Sequence, residues 1–317
     1  MSEPTVYLNG TFVPASQAKL NIYDSGIVLG ATVTEMTRTF RHTPFRLEEH
    51  IRRLFRSLRY VRFDIGMTEE QLQRISRELV ERNLGSLDMD DELGLIHFVT
   101  AGEYATYAGS AGGAARTTPT VCAHTFPLPW ELWSARLSEG VHVVTPSTRH
   151  VPPQCCDPKM KYRSRMHYYL ADQEARLADP QAVALLLDLD GNITETSGAN
   201  FLALERGSLL SPGPRNILPG VSRAVTREIA SELGIPFQER DMQAHCVMNA
   251  EEAYLASTPY CLLPVTRING VPIGSGRPGP MYRCLMEAWS RRVGLDVMAQ
   301  IRDGAERRLR RQAAGGT

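Results

Sequence analysis

Lysine is almost missing from this chain: among 317 residues only Lys19, Lys159 and Lys161 occur, and 32 of the 35 basic residues are arginine. Arginine stays protonated and delocalised and cannot condense with a carbonyl. Lysine chemistry therefore has three places to reside. A net charge is missing too. Asp plus Glu match Lys plus Arg at 35 each, which leaves no overall field to gather nucleic acid or an anionic membrane and favours a small-molecule partner. No apolar run approaches the ~20 residues that span a bilayer, and the opening MSEPTVYLNG lacks a basic stretch followed by an apolar core. The chain reads as soluble and cytoplasmic. Its six cysteines (Cys122, Cys155, Cys156, Cys246, Cys261, Cys284) show no paired CxxC spacing, so no metal site and no disulfide framework is expected, only reduced and mostly buried thiols.

What is present alternates short strands with helices. Val6–Leu8, the turn Asn9–Gly10 and Thr11–Val13 read as an opening hairpin. Thr32–Phe40 is β-branched and extended, Leu47–Tyr60 has Ile51, Leu54 and Leu58 at helical spacing, and Thr68–Leu84 is a second helix with Thr68 as its N-cap. Strands follow at Leu93–Thr100 and Thr120–Thr125. The run FPLPWELW, Phe126–Trp133, breaks all periodicity. It marks a linker over 128–135 that separates an N-terminal α/β domain, 1–127, from a C-terminal domain, 136–317. The second half offers a strand at Val141–Thr145, a helix over Ser164–Leu177, short strands from Ala182 to Leu210, a helix from Val221 to Leu233, a strand at Ala253–Ala256 and a helix over Met281–Arg292. The basic tail after Gly304 is low in apolar residues and is expected to fray.

Four features carry chemistry, in chain order. Lys161 lies between Met160 and Tyr162 with Lys159, Arg163 and Arg165 close in sequence, and neighbouring positive charge helps keep an amine neutral enough to act as a nucleophile. Glu195 ends a strand. The stretch Leu218-Pro219-Gly220-Val221-Ser222-Arg223 opens a helix, where free N–H groups and the dipole favour an anion. Ser257-Thr258 follows a strand and could add hydroxyl donors.

The ordered set of motifs resembles the class IV aminotransferases, the fold-type IV pyridoxal-phosphate enzymes: YLNG, the DxGxxxG of Asp24–Gly30, the HxxRL of His50–Leu54, Lys161 ahead of Glu174-Ala175, Asp188 through Glu195, Asn200-Phe201, Leu218–Arg223, Ser257-Thr258 and Pro264-Val265. The resemblance runs from about Val6 to Leu295. It implies an α/β fold of two domains, the smaller N-terminal and the larger a β-rich pseudo-barrel, with pyridoxal 5'-phosphate in the cleft between them and a homodimeric assembly. By it, Lys161 holds the cofactor as a Schiff base, Glu195 faces the pyridine nitrogen, and Arg53, the backbone of Val221 and Ser222, and Thr258 cradle the phosphate. Lys159 competes for the first role, because alternate residues of an extended segment face the same way; the spacing to Glu174 favours Lys161. The reaction implied is a two-step transfer of an amino group between an amino acid, branched-chain ones among the candidates, and a 2-oxo acid.

Three departures bear on the substrate. Thr34 stands where branched-chain enzymes carry an aromatic residue before the glutamate matched by Glu35. Ser164, Arg165 and Met166 occupy the stretch where they carry a tyrosine, and Ala101 falls where D-amino-acid enzymes place arginine. Arg38, Arg163 and Arg165 are each candidates for a substrate carboxylate. Two other readings stay open at this point: an aminodeoxychorismate lyase-like elimination of pyruvate, and a cofactor-holding homologue without turnover.

Overall fold

The computed structural model describes residues 3–85, 87, 91–108 and 118–315. Two compact units emerge: Met1–Leu128 with Met160–Ser164, and Pro129–Lys159 with Arg165–Thr317. Five residues around Lys161 thus pack with the first unit although the chain on both sides belongs to the second.

The first unit contains β1 (Thr5–Leu8), β2 (Thr11–Pro14), α1 (Ser25–Val28), β3 (Thr32–Phe40), β4 (Thr43–Pro44), α2 (Leu47–Val61), α3 (Glu69–Leu84), β5 (Leu93–Thr100), α4 (Ala105–Ala108) and β6 (Thr120–Pro127). Its six strands form an antiparallel sheet in the order β2-β1-β6-β5-β3-β4. Leu47, Ile51, Leu54 and Leu58, at the i, i+3/i+4 spacing of one helix face, bring α2 onto that sheet, and Leu72, Leu79 and Val80 do the same for α3, against Val33, Leu95, Val99 and Ala123. Thr68 and Gln71 form a reciprocal capping box that fixes where α3 begins. The two-residue turn between β3 and β4 places both Arg41 and His42 in the left-handed region, with φ of 49° and 62°. Glu92, buried, accepts hydrogen bonds from both of their backbone N–H groups and from the Thr39 hydroxyl. That one carboxylate offsets the backbone strain of the turn.

The second unit contains α5 (Ser134–Glu139), β7 (Val141–Val144), α6 (Met166–Ala178), β8 (Val183–Leu187), β9 (Ile193–Thr196), β10 (Asn200–Glu205), β11 (Ser208–Ser211), α7 (Val221–Glu232), β12 (Phe237–Glu239), α8 (Ala244–Met248), β13 (Glu252–Ser257), β14 (Cys261–Ile268), β15 (Val271–Pro272), α9 (Pro280–Val293) and α10 (Val297–Gly315). Strands β10, β13, β14, β7, β8 and β9 pair in succession, and β9 pairs back to β10 through Asn200 opposite Glu195. The sheet is therefore a closed six-stranded ring, with β11, β12 and β15 outside it. α6 crosses from β7 to the parallel β8, as a parallel pair requires.

Two expectations change, for the tail and for the cysteines. In the aromatic run at 128–135, Trp130 is fully buried and meets Trp133 edge-on, and Trp133 meets Tyr260 in the same way, all within the second unit. The tail does not fray at Gly304. It is helical to Gly315, because Val297, Ile301 and Ala305 bury one stripe of α10, and Gly304 is bare where a Cβ would lie 2.3 Å from the Trp130 ring. Of the cysteines, Cys122 and Cys261 are buried, Cys155 is exposed and the other three lie between; all six are free.

Candidate active site

In the first unit, Lys161 extends the sheet at the free end of β3. Its carbonyl accepts from Thr34 N at 2.8 Å, Arg163 N donates to Thr32 O at 2.9 Å, and Tyr162 bridges to Val33. Lys161 N donates to Ser57 Oγ at 3.3 Å, and Ser57 in turn donates to Arg53 O one turn earlier on α2. The lysine backbone is held by a strand on one side and a helix on the other. Arg53 and His50, on the buried face of α2, reach Glu35 of β3: Arg53 Nε and Nη2 donate to its two oxygens at 2.8 and 2.6 Å, and His50 Nδ1 lies 3.0 Å away. Burial alone raises a carboxyl pKa, but here the Arg53 charge and hydrogen bonds, with that of His50, outweigh it and hold Glu35 well below the usual range. His50 is pushed down by burial, partly countered by Glu35, and the charges of Arg53 and Lys161 add to the lowering. The charges of Arg53 and Lys161 thus both reach His50. Lys159 differs: it is exposed, on the second unit, in a turn whose N–H donates to Asp157.

The three candidate arginines have unlike settings. Arg38 is 1% exposed; its Nε donates to Thr39 O, and the guanidinium lies 3.8 Å from the centroid of Phe40. Arg163 is exposed and lies over Phe98. Its charge opposes the burial that pushes the nearby Cys122 thiol up to about 12. Arg165, in the second unit, lies over the ring of Tyr168 at the start of α6.

In the second unit three donors converge on Glu195. Tyr168 OH donates to Oε1 at 3.1 Å; Asn200 Nδ2 and Leu218 N donate to Oε2 at 2.9 and 3.1 Å. Asn200 Nδ2 also donates to Leu218 O at 2.9 Å. Two acceptors on one side of that amide fix which end is nitrogen. The Leu218–Gly220 loop is folded tightly over Asn200: a Cβ on Gly220 would come to 2.0 Å of its Oδ1. α7 starts directly afterwards, its first helical bond running from Ala224 N to Gly220 O, and no side chain caps it. The N–H groups of Val221 and Ser222 belong to the first turn, which leaves its amides pointing out of the helix start. Thr258 lies half-buried in the β13–β14 turn, beside Ser257, whose hydroxyl donates to Gly198 O at 2.6 Å.

Within the second unit, a carboxylate supported from three sides and an uncapped helix start suit the ring nitrogen and the phosphate of pyridoxal phosphate; within the first, Lys161 offers an amine. The structure also brings in residues that sequence reasoning gave no role. Asn200 was only part of an Asn-Phe motif, and His150, whose Nε2 lies 3.0 Å from Tyr168 OH, carried no signal at all.

Residues 32–268 match the amino-transferase class IV family. The branched-chain-amino-acid aminotransferase-like protein 1 of Arabidopsis thaliana is 28% identical over 90% of the chain, which spans about half of that relative's length. The D-alanine aminotransferase of Staphylococcus aureus is 28% identical over 91% of the chain and 97% of its own. The solved T.th. branched-chain amino acid aminotransferase, complexed with N-(5'-phosphopyridoxyl)-L-glutamate, superposes with a TM-score of 0.80 at 25% identity, covering 93% of this chain and 95% of that one. By the extent of that match and the closed six-stranded ring it accompanies, the chain belongs to the class IV aminotransferases, fold-type IV enzymes that use pyridoxal 5'-phosphate.

Proposed function

We propose that this chain moves an amino group between an amino acid and a 2-oxo acid, with Lys161 as the residue that holds the cofactor by a Schiff base and then carries the proton at the substrate α-carbon. The observation behind this is the placement of Lys161: half-buried and fixed through its own backbone to β3 and α2. An amine acts as nucleophile and base only in its neutral form. Pyridoxal phosphate supplies an electron sink for the substrate carbon. Glu195 would hold the proton on the ring nitrogen, the backbone N–H groups of Val221 and Ser222 with Thr258 would bind the phosphate, and Arg53, whose guanidinium is paired with Glu35, is the further candidate for it.

The relatives named for branched-chain amino acids and for D-alanine share a substrate carboxylate, and an arginine fork is the residue that recognises one. Arg163 and Arg165 are better placed for this than Arg38, which is enclosed and already bound to Thr39 O. A panel of L- and D-amino acids and of amines without a carboxylate, scored by loss of the bound cofactor's visible absorbance, tests the assignment. Conversion by amino acids supports it; a preference for simple amines overturns the substrate reading.

A homodimer and a cytoplasmic location complete the proposal. Ile22, Ile27 and Leu29 around α1 are 72%, 63% and 58% exposed, and Met166, Tyr169 and Leu170 stand out along α6. Apolar surface so exposed suits a second copy of the chain. Sedimentation equilibrium at micromolar concentration reads the mass directly, and a monomer there refutes the dimer. Six free cysteines suit a reducing compartment. Among the described residues no helix is long and apolar enough to cross a membrane.

A further inference from the structure

Behind Glu195 stands a short chain of buried groups. His150, Tyr168 and Glu195 are 4%, 7% and 7% exposed. His150 Nδ1 lies 2.9 Å from Val151 O, His150 Nε2 lies 3.0 Å from Tyr168 OH, and Tyr168 OH lies 3.1 Å from Glu195 Oε1. His150 Nε2 itself is 3.8 Å from Glu195 Oε1. Counting protons along this chain decides its state. A carbonyl can only accept, so Nδ1 carries a hydrogen. With Glu195 ionised, its Oε1 also only accepts, so the single Tyr168 hydroxyl proton points to Glu195. The phenol oxygen is then an acceptor towards His150, and Nε2 must carry a hydrogen as well. With all three contacts hydrogen-bonded and Glu195 ionised, both imidazole nitrogens would donate.

We propose that His150 is a positioning residue for the transamination: as an imidazolium it acts through the Tyr168 hydroxyl to hold Glu195 ionised and oriented towards the cofactor's ring nitrogen. Neither the family match nor the sequence motifs assign a role to either residue, and the proposal rests on the reading of Glu195 given above. Charged and titratable groups packed against this chain of residues include His167 and Arg165. His167 meets the His150 ring edge-on at 5.9 Å; burial, followed by the charges of His150 and Arg165, holds it down to about 4, so it is neutral at pH 7 and does not compete for the proton. Arg165 sits over the face of the Tyr168 ring, 5.1 Å from its centroid, rather than at the hydroxyl. Its charge stabilises a polarised phenol without replacing the His150 contact. Asn200 and Leu218 N occupy the other oxygen of Glu195, so the Tyr168–His150 side is the one that supplies charge.

The first measurement needs no cofactor and no variant. Nitrogen-15 shifts of His150 in the wild-type apoprotein at pH 7 should show both ring nitrogens protonated; one unprotonated nitrogen there overturns the proposal. The second uses holoenzyme carrying pyridoxal phosphate labelled at the ring nitrogen. Wild type should give the protonated-ring shift. His150→Gln, which keeps a donor but no charge, and Tyr168→Phe, which severs the link while keeping the ring, should both move that shift towards the neutral ring and slow the half-reaction about tenfold or more. His150→Arg, a permanent cation, should restore the shift. Glu195→Gln separates the two readings. If it moves the ring-nitrogen shift while His150→Gln and Tyr168→Phe do not, the relay is refuted and Glu195 keeps its role; if it too leaves the ring protonated, the assignment of Glu195 falls and the relay with it.

Discussion

Lys161 answers to two constraints before any chemistry: its carbonyl completes the hydrogen bonding of Thr34, and its N–H uses Ser57. Replacement by alanine keeps both, since both are backbone contacts. Lys161→Ala should therefore fold with parental stability yet lose the visible absorbance of covalently held cofactor and all turnover, whereas Lys159→Ala keeps both. Spectra of the purified variants check this, and coloured, active Lys161→Ala would sink the assignment. The arginines separate in the same spirit. Changing Arg163 or Arg165 to Gln, at the one that grips the carboxylate, should lower kcat/KM for amino acids by ~2–5 kcal/mol in transition-state terms and spare simple amines. Arg38→Gln should instead show up as lost stability in a urea titration, because a group this enclosed leaves its partners unsatisfied when removed. Equal steady-state kinetics for all three variants and the parent would end the carboxylate argument.

At the scale of elements, two tight features lend themselves to test. The Arg41–His42 turn depends on Glu92, and Glu92→Ala strips three donors of their shared acceptor. A loss of about 2–4 kcal/mol is expected by chemical denaturation, and His42→Gly, which suits the left-handed backbone, should recover part of it. The Gly220 contact makes a sharper prediction. Gly220 has φ of −67°, which alanine adopts without strain, so the cost of Gly220→Ala is purely the Cβ against Asn200. Asn200 must turn away and release Glu195 and Leu218 O. Pyridoxal phosphate affinity of the apoprotein should fall by tenfold or more while thermal stability changes little; unchanged affinity would show that Asn200 has slack. The same elements explain what the sequence could and could not reveal. β3, α2 and α3 were legible because their apolar periods and the Thr68 cap are local signals. β14 was not, because Pro264 interrupts an apolar run that otherwise reads as a strand. The proline is tolerated because pairing with β7 begins only at Val265, so at that position the strand has an open side. α10 hid behind Gly304, a poor helix residue retained for the Trp130 ring, although Val297, Ile301 and Ala305 at four-residue steps were a readable stripe. Lysine scarcity left three candidates for an anchor, and the family resemblance pointed to Lys161 and Glu195. No such signal pointed to the His150–Tyr168 link, since it joins residues 18 apart through geometry alone.

For the molecule as a whole, buried histidines set the response to acid. Burial, against the opposing charge of Glu35, holds His97 down to about 4, and His167 is held equally low. Between their unfolded value near 6.5 and about 4, the unfolded chain binds protons that the native state refuses, so stability rises with pH across that window and is lost as pH falls through it. His97, fully enclosed in the first unit, accounts for about 3 kcal/mol at most. His97→Gln should flatten the decline between pH 6.5 and 4 in urea midpoints, and an unchanged slope would assign the acid sensitivity elsewhere.

The passage of Met160–Ser164 into the first unit has a consequence for recombination between relatives. No single cut of the coding sequence yields the whole of that unit: residues 1–128 without 160–164 leave Thr32 and Thr34 facing an unfilled strand position. A chimera that imports a relative's first 128 residues keeps the host's lysine segment against a foreign β3 and α2. Its register and the Ser57 contact must then match by inheritance from two parents, which ties the amine's placement to compatibility between lineages rather than to either sequence alone.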